Sequence, residues 1–365
     1  MIRSRAEQNA NQPIVPSLEE LIPKLMAEAN VPGLSICLIE GGRPLWRRGF
    51  GVSDNATNEP VADETLFEAA SVSKTVFSYA VVRLCERGIL NLDRPLVKYG
   101  ATPLLTSDPR MDQITARHIL SHTSGFQDFR SRAEPLRIHF NPGEKFLYSG
   151  EGYYYLQSVV THLTGRVDSS VCAKYEAGLE VCGTDFDASM KQTLLRPLGM
   201  NTSGYLWDEA LAKCAANPHD ANGKPSAKKR PKTPDVARYG ACGGLHTTAA
   251  EYARFLLQVI NPGSGDSVRL RDDSLKEMLR PQIRLPEDQK IDGADSWALG
   301  WAMQQRRTGK VIVHSGGQAG FQSLTMASVD RKSGFVVLTN SDNGWKIFHD
   351  TRFSTTMDRL LAGPI

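Results

Sequence analysis

Apolar and polar positions follow two different periodicities in the first fifty residues. Segment 16–30 carries apolar residues three or four positions apart (Leu18, Leu21, Ile22 and Leu25), which predicts a helix that Ser17 can cap. Two short β-prone runs follow at 34–39 and 44–50, divided by a Gly-Gly pair. Such a pair favours a tight turn, so the pattern predicts an antiparallel hairpin.

Segment 72–87 is apolar on nearly every side and ends at Gly88, which predicts a buried helix. From there to about residue 238 the pattern is mainly helical, most clearly at 114–120, 153–163 and 188–198. Strand character returns at 298–304, 310–314, 322–328 and 334–338, before a last helix at 345–361. The chain thus predicts a sheet, a helical insertion and a return to the sheet, with helices from both ends covering one face.

Composition places the chain among ordinary globular proteins. It has 365 residues, 41% hydrophobic and 23% charged, which excludes disordered, collagen-like and membrane-spanning classes. A chain this long predicts two domains or one large α/β body with an insertion. The net charge of +3 argues against nucleic acid or an anionic membrane as the main partner. The basic run 224–232 is interpreted as a solvated loop, with contact to an anionic partner as the alternative.

Cysteine usage and the start of the chain bear on its compartment. The six cysteines form no C-x-x-C pair and are interpreted mostly as reduced core thiols: Cys37, Cys85, Cys172, Cys182, Cys214 and Cys242. Segment 1–12 is polar and lacks the apolar stretch of a secretory signal. If this is the native start, we expect a cytoplasmic protein.

Ser71 and Lys74 form an S-x-x-K pair at the start of the predicted buried helix. Their three-residue separation puts both side chains on one helix face. Burial would lower the pKa of the lysine, so that it could take part in proton transfer from the serine. Backbone N–H groups at a helix start also suit an oxyanion. Alone, the pair is also explained by a capping serine and a lysine that snorkels to the surface.

Two further motifs follow in order along the chain. Tyr148 lies in a glycine-containing turn with Gly150, where its phenol could act as general base or acid beside a cation such as Lys74. His314 ends a β-prone run and precedes Gly316 and Gly317. Glycines there let the backbone approach a substrate closely, and the Gly317 N–H would be a second oxyanion donor beside that of Ser71. The alternative for His314 is a purely structural histidine.

The three motifs, in this order, resemble those of the serine β-lactamase and penicillin-binding-protein superfamily, and specifically the class C β-lactamase-like group with its family VIII esterases. Segments 67–74, 119–126, 195–200, 243–248 and 338–341 resemble the group as well, so the likeness spans about residues 18–361. It implies an α+β fold: an antiparallel sheet flanked by helices, with an inserted all-helical domain.

The resemblance also implies how the chain is divided. We expect a discontinuous α/β domain at 1–70 and 239–365, a helical domain at 71–238, and the catalytic cleft between them. It implies Ser71, Lys74 and Tyr148 as catalytic residues, and His314, Gly316, Gly317 and Gly150 around the substrate and oxyanion. No metal or organic cofactor is implied. His122 and Ser124 are interpreted as structural supports of the site.

Two departures from the group bear on the substrate. Gly150 stands where class C β-lactamases have the asparagine of Y-x-N, and His314 replaces the lysine of the K-T-G box. A side-chain amide and a cation for a substrate carboxylate are therefore missing, which favours an ester over a β-lactam or peptide. Segment 166–187 is longer than its family counterpart and either shapes the substrate entrance or is a plain surface insertion.

The sequence therefore predicts a serine hydrolase that cleaves carboxylic esters, with a short acyl chain, through an acyl-enzyme on Ser71. The alternative within the same chemistry is a β-lactamase or a D-Ala-D-Ala-type peptidase or amidase. The alternative from another class is a non-catalytic penicillin-fold binding protein. The expected partner is a small ester or amide, and the sequence leaves the oligomeric state open.

Overall fold

A nine-stranded antiparallel sheet forms the centre of the computed structural model, which describes residues 13–100, 105–129, 134–164, 183–226, 235–236 and 240–362. Its strands are β1 (Gly33–Glu40), β2 (Arg43–Asp54), β3 (Glu59–Pro60), β8 (Ile283–Arg284), β9 (Ser296–Trp297), β10 (Ala302–Arg306), β11 (Gly309–Gln318), β12 (Phe321–Ser328) and β13 (Ser333–Thr339). They are arranged in the sheet in the order β3-β2-β1-β13-β12-β11-β10-β9-β8. Strand β1 pairs with β13, and this pairing joins the N-terminal and C-terminal strands in one sheet.

Helices cover both faces of this sheet in the described ranges. They are α1 (Ile14–Ala29), α2 (Ser73–Glu86), α3 (Ala116–Leu120), α4 (Gly150–Thr164), α5 (Gly183–Met190), α6 (Glu209–Cys214), α7 (Gly240–Gly243), α8 (Ala249–Ile260), α9 (Asp272–Met278), α10 (Gly344–Phe348) and α11 (Thr351–Ala362). Two-residue strands form two further pairs, β4 (Phe67–Glu68) with β7 (His246–Thr247) and β5 (Leu206–Trp207) with β6 (Asp235–Val236). The predicted antiparallel sheet with helices from both chain ends is confirmed.

The alternation of side chains along each strand sorts the core into two layers. In β1, Ile36 and Leu38 join the apolar cluster of α1 and α11, whereas Cys37 and Ile39 join the cluster of α2 and α8. Successive strand residues point to opposite faces, so a sheet that is buried on both sides needs nearly continuous apolar strands. Each Å² of apolar surface that is removed from water stabilises the fold by roughly 25 cal/mol, which makes these two layers the main stabilising feature.

Helix α8 was not predicted, although its sequence carries signals for it. Thr248 caps it by accepting a hydrogen bond from the Glu251 backbone N–H. Its apolar face packs against β1 and β13. A threonine three residues before a glutamate, followed by apolar residues at helical spacing, is a recognisable helix start.

Two predicted element starts are wrong. Helix α1 begins after Pro13, and Ser17 does not cap it but donates its hydroxyl to the Pro13 carbonyl. Predicted strand 298–304 begins only at Ala302, because the chain turns at Gly300, where φ is +84°. A β-carbon at Gly300 would lie 2.2 Å from Ser78 Oγ, so this turn requires glycine.

Two further predictions concern the C-terminal third. The predicted last helix is two helices, α10 and α11, which are separated at residues 349–350. Predicted strand 310–314 continues as β11 to Gln318, so His314 lies inside a strand rather than at its end. A tight turn joins β10 to β11, because Arg306 pairs with Gly309 where the two strands meet.

The predicted helical segment 71–238 is mainly helical where the structure describes it, and its strands there are the short β5 and β6. Its division from 1–70 and 239–365 as a separate domain stays a prediction. Most of segment 166–187, including Cys172 and Cys182, and most of the basic run 224–232 lie outside the described residues. Of the four cysteines in the described ranges, Cys37 and Cys242 are buried, Cys85 is half-buried and Cys214 is exposed, so the core interpretation holds for part of them.

Candidate active site

Ser71 lies in a short 3₁₀ turn, Ala70–Val72, that leads directly into α2. The preceding residue, Ala70, has φ of +47° and is almost completely buried. A non-glycine residue in the left-handed region stores strain, and such strain concentrates at functional sites. Ser71 itself is partly exposed, so its hydroxyl can meet a ligand while the turn behind it is fixed.

Lys74 is completely buried one helical turn further on. Its ammonium donates to Ser71 Oγ at 3.1 Å and to the Cys242 carbonyl at 2.8 Å. Burial alone would lower the pKa of Lys74, but the charges that Tyr148 and Cys242 can carry, a hydrogen bond with Tyr148, and Asp128 raise it above its usual value. The prediction of a lowered pKa for Lys74 is therefore wrong, because these neighbours outweigh the effect of burial. Lys74 stays a cation at neutral pH.

Tyr148 lies beside this cation. The Lys74 ammonium is 4.8 Å from the centre of the Tyr148 ring. A cation this close is attracted to the face of an aromatic ring. The structure thus brings Ser71, Lys74 and Tyr148 together, although they come from two segments that are far apart in the sequence.

His122 holds the segment around Tyr148 from two directions. Its carbonyl accepts the Leu147 N–H at 2.8 Å, and its Nδ1 accepts the Ser149 N–H at 3.0 Å. Its ring lies 4.2 Å from the Tyr148 ring, centre to centre. His122 is fully buried with φ of +55°. Burial, helped by Lys74 and His314, keeps the pKa of this imidazole well below its usual range, so it is neutral.

The second side of the site is strand β11. Strand β10 pairs with it only as far as Val313. Gly316, farther along, lies against the Ser71 turn: a β-carbon there would lie 2.6 Å from the Ala69 carbonyl and 2.8 Å from the Ser71 backbone nitrogen. Position 316 therefore has room only for glycine. Gly317 follows and is exposed, opposite Gln322 of β12.

His314 is buried in the same strand and is uncharged. Its Nδ1 lies 2.7 Å from the Ser315 carbonyl, which can only accept, so Nδ1 carries the proton. Burial, reinforced by the positive charge of Lys74, lowers its pKa to about 3. An imidazole at this position cannot supply the charge that the lysine of a K-T-G box would.

Gly150 begins α4, and a side chain at this position would meet an aromatic ring. The ring of Phe129 would be 2.5 Å from a β-carbon at position 150. The Gly150 N–H donates to Asp128 Oδ1 at 2.8 Å. Phe129 thus occupies the space that the side chain of a Y-x-N asparagine at position 150 would need, and half of its own surface is exposed.

Five of the predicted site residues line a cavity of about 290 Å³: Ser71, Tyr148, His314, Gly316 and Gly317. Lys74 and Gly150 are not among its lining residues. Sequence reasoning missed another part of the wall: Ile291, Asp292, Trp297, Trp345, Phe348 and His349. No motif marks these residues, because they come from β9 and the loop before it and from α10 and the residue after it, and meet only in the folded chain.

Within the described ranges, no helix is long and apolar enough to cross a membrane. No group of three or more histidine, cysteine, aspartate or glutamate side chains in these ranges is arranged to hold a metal ion.

Known proteins resemble this chain along most of its length. Residues 18–353 match the profile of the family described as Beta-lactamase. Penicillin-binding protein 4* of Bacillus subtilis strain 168 is 22% identical over 353 residues, which cover 84% of this chain and 68% of that protein.

Solved structures share the fold at low identity. The octameric penicillin-binding protein homologue from Pyrococcus abyssi aligns with a TM-score of 0.73 and 24% identity, over 95% of this chain and 76% of that one. The D-alanine carboxypeptidase AmpC from Burkholderia cenocepacia aligns with a TM-score of 0.73 and 19% identity, over 95% and 98% of the two chains. The profile match covers most of the chain, and on that basis this protein belongs to the β-lactamase family of serine hydrolases.

Proposed function

We propose that this protein hydrolyses carboxylic esters with a short acyl chain through an acyl-enzyme on Ser71. The observation that carries the preference for esters is the neutral, buried His314 in the wall of the cavity. A substrate carboxylate placed there would lose its hydration without gaining a cation, which is costly. Penicillins and D-alanyl peptides carry such a carboxylate, whereas a simple ester does not.

The proposed acylation step uses the three clustered residues in distinct roles. Ser71 Oγ attacks the ester carbonyl, and its proton passes to the Tyr148 phenolate, which Lys74 stabilises. Lys74 holds Ser71 Oγ by its hydrogen bond and, as a cation, does not itself take the proton. The backbone N–H groups of Ser71 and Gly317 bind the oxyanion. The tetrahedral intermediate collapses when the alcohol leaves with the proton from Tyr148.

Deacylation reverses these roles. Tyr148 takes a proton from a water molecule, the hydroxide formed attacks the acyl carbonyl, and Ser71 Oγ leaves with that proton. The products are a carboxylic acid and an alcohol. The cavity volume of about 290 Å³ supports a small ester.

Phe129 supports the same preference. A Y-x-N asparagine would bind the amide of a β-lactam or peptide side chain, and the ring beside Gly150 cannot do this. An ester has no amide N–H to bind and has a better leaving group. The names of similar proteins, a penicillin-binding protein and a D-alanine carboxypeptidase, favour β-lactamase or peptidase activity as the second candidate.

The test combines covalent labelling with a choice of substrates. We expect a fluorophosphonate probe to label folded protein at Ser71, and Ser71→Ala to lose both label and turnover. Ser315→Ala, which removes another serine from the same cavity, is the matched control and should keep the label. Absence of label at Ser71 would contradict a catalytic role and favour a binding protein. Faster turnover of nitrocefin than of p-nitrophenyl acetate would support the second candidate.

A further inference from the structure

We propose that the cavity wall formed by Asp292 and the aromatic residues of α10 binds a cationic ammonium group of the substrate. This inference rests on the proposed ester hydrolysis and names its substrate class: esters that carry a quaternary or alkylated ammonium near the scissile bond. Asp292, Trp345, Phe348 and His349 line the same cavity as Ser71 and Tyr148, so a ligand that reaches the serine also meets them.

Charge in the cavity is one-sided. Asp292 is its one carboxylate, and neither lysine nor arginine is among its described lining residues. His314 is neutral, and the cation nearest to the serine, Lys74, is fully buried and donates to Ser71 Oγ and the Cys242 carbonyl. A cationic ligand is therefore favoured over an anionic one in this wall.

The carboxylate of Asp292 is mostly buried, with 13% of its side chain exposed. Its Oδ2 has no hydrogen-bond partner among the described residues. Its Oδ1 lies 3.5 Å from His349 Nε2. His349 Nδ1 lies 2.9 Å from the Trp345 carbonyl, which can only accept, so Nδ1 carries a proton. With that single ring proton, Nε2 presents a lone pair to Asp292 and does not donate to it.

Burying a carboxylate without a hydrogen-bond donor costs folding free energy, and such an unpaired buried group therefore calls for an explanation such as a bound ligand. The backbone at Asp292 is fixed in the left-handed region with φ of +47°, and its carbonyl accepts a hydrogen bond from Gln304 Nε2. Arg306, on the neighbouring strand, does not neutralise it, because its guanidinium binds Asp358 and Gln304. An ammonium group on the ligand would supply the missing positive charge.

Aromatic rings complete this wall. Trp345 is half exposed and Phe348 is mostly buried; both lie on α10, and His349 directly follows that helix. Trp297 forms another part of the lining. Alkylated ammonium groups bind to the faces of such rings, and a nearby carboxylate adds to the attraction. The combination of one carboxylate with several aromatic rings distinguishes an ammonium from a neutral group of the same shape.

The experiment compares matched esters that differ only in this charge. Acetylcholine, the acetate ester of choline, is paired with 3,3-dimethylbutyl acetate; the cation of this pair is on the alcohol. Ethyl 4-(trimethylammonio)butanoate is paired with ethyl 5,5-dimethylhexanoate, which places it on the acyl group. We expect kcat/KM to be about tenfold higher for the cationic member of at least one pair, as cation–π and charge contacts of this size predict.

Two variants test the residues. Asp292→Asn keeps the size of the side chain and tolerates the left-handed backbone. It should abolish the preference, measured on the variant itself as the ratio of kcat/KM for the cationic ester to kcat/KM for its neutral partner. Trp345→Leu should reduce the preference in the same direction. Asp288→Asn, an exposed carboxylate in the preceding turn, is the matched control and should keep it.

The possible results distinguish a failure of the ammonium subsite from a failure of the proposed ester hydrolysis. If the neutral esters are hydrolysed but both pairs show equal rates, or if Asp292→Asn keeps the preference, the ammonium subsite is wrong and the esterase proposal stands. If no ester of either pair is hydrolysed and Ser71 takes no label, the proposed function itself is wrong. Preference for the cationic ester that Asp292→Asn removes would establish the subsite.

Discussion

Gly316 lies so close to Ser71 that a β-carbon on it would be 2.8 Å from the Ser71 backbone nitrogen. This contact joins strand β11 to the turn before α2 and places the backbone of the two segments side by side. An alanine at position 316 must push the Ser71 turn away, which displaces the proposed oxyanion donor.

We therefore expect Gly316→Ala to lower kcat by about 10²–10³-fold, as the loss of one oxyanion donor does. Gly265→Ala is the matched control, because no atom lies within 4 Å of a β-carbon there. Steady-state kinetics with p-nitrophenyl acetate and thermal unfolding would be measured on both. A fully active Gly316→Ala enzyme would show that this contact does not position the oxyanion site.

Tyr148→Phe removes the phenol and keeps the ring. If the phenolate accepts the Ser71 proton, kcat should fall by about 10²–10⁴-fold. The control is Tyr153→Phe, whose hydroxyl lies 3.0 Å from Ser78 Oγ and whose ring also faces Lys74. That change should cost about 1 kcal/mol of unfolding free energy with little change in kcat. An unchanged kcat in Tyr148→Phe would remove its role as base.

His122 should act on the rate by positioning Tyr148, since it binds the peptide groups on both sides of that residue. His122→Phe loses the acceptor and should lower kcat by about 10²-fold through misplacement of the phenol. His122→Asn keeps an acceptor and tolerates φ of +55°, so it should recover part of the rate. Both variants would be compared by kcat, KM and pH–rate profile. Equal losses in the two would argue for a packing role alone.

Gly150 and Phe129 should depend on each other. Gly150→Asn alone places its β-carbon about 2.5 Å from the Phe129 ring and should cost about 1–3 kcal/mol of unfolding free energy. Adding Phe129→Ala should relieve this clash. A double-mutant cycle on urea unfolding, with nitrocefin turnover as a second readout, measures the coupling. Additive effects in the cycle would contradict the steric explanation.

The neutral state of His314 predicts a pH dependence of stability. Its pKa is about 3 in the fold against 6.5 when unperturbed, so the unfolded chain binds more protons between these values. Its contribution is fully present above pH 6.5 and is lost as pH falls toward 3, by roughly 5 kcal/mol at most. His314→Gln, which does not titrate, should unfold with a shallower dependence on pH between these values. Identical slopes in urea titrations of both proteins would contradict a depressed pKa.

Local patterns were sufficient for most of the architecture. The hairpin at β1 and β2, the turn before β11 and the buried helix α2 follow from periodicity and glycine placement, which act between neighbours in the sequence. Element ends were less predictable. Gly300 breaks a predicted strand because Ser78, distant in sequence, occupies the space of its side chain.

The candidate site divides in the same way. Ser71 and Lys74 were recognisable from their spacing, because one helix turn fixes their distance, and the order of motifs pointed to Tyr148 and His314. The direction of the Lys74 pKa was not predictable, since it depends on Tyr148, Cys242 and Asp128 around a buried ammonium. The resemblance of segment 119–126 pointed to His122 as a support of the site, but not to its contact with Tyr148. No motif marked Asp292 or Trp345 as part of the cavity.

Most elements, and the Ser71–Lys74 pair at the start of α2, could be recognised in the sequence, because periodicity, glycine spacing and one helix turn are local properties of the chain. Three features of the site appear only in the folded chain: Phe129 fills the space beside Gly150, His314 is uncharged, and Asp292 lines the same cavity as Ser71. Each of these depends on burial and on charges brought from distant segments, and those arise when the two layers close on the sheet.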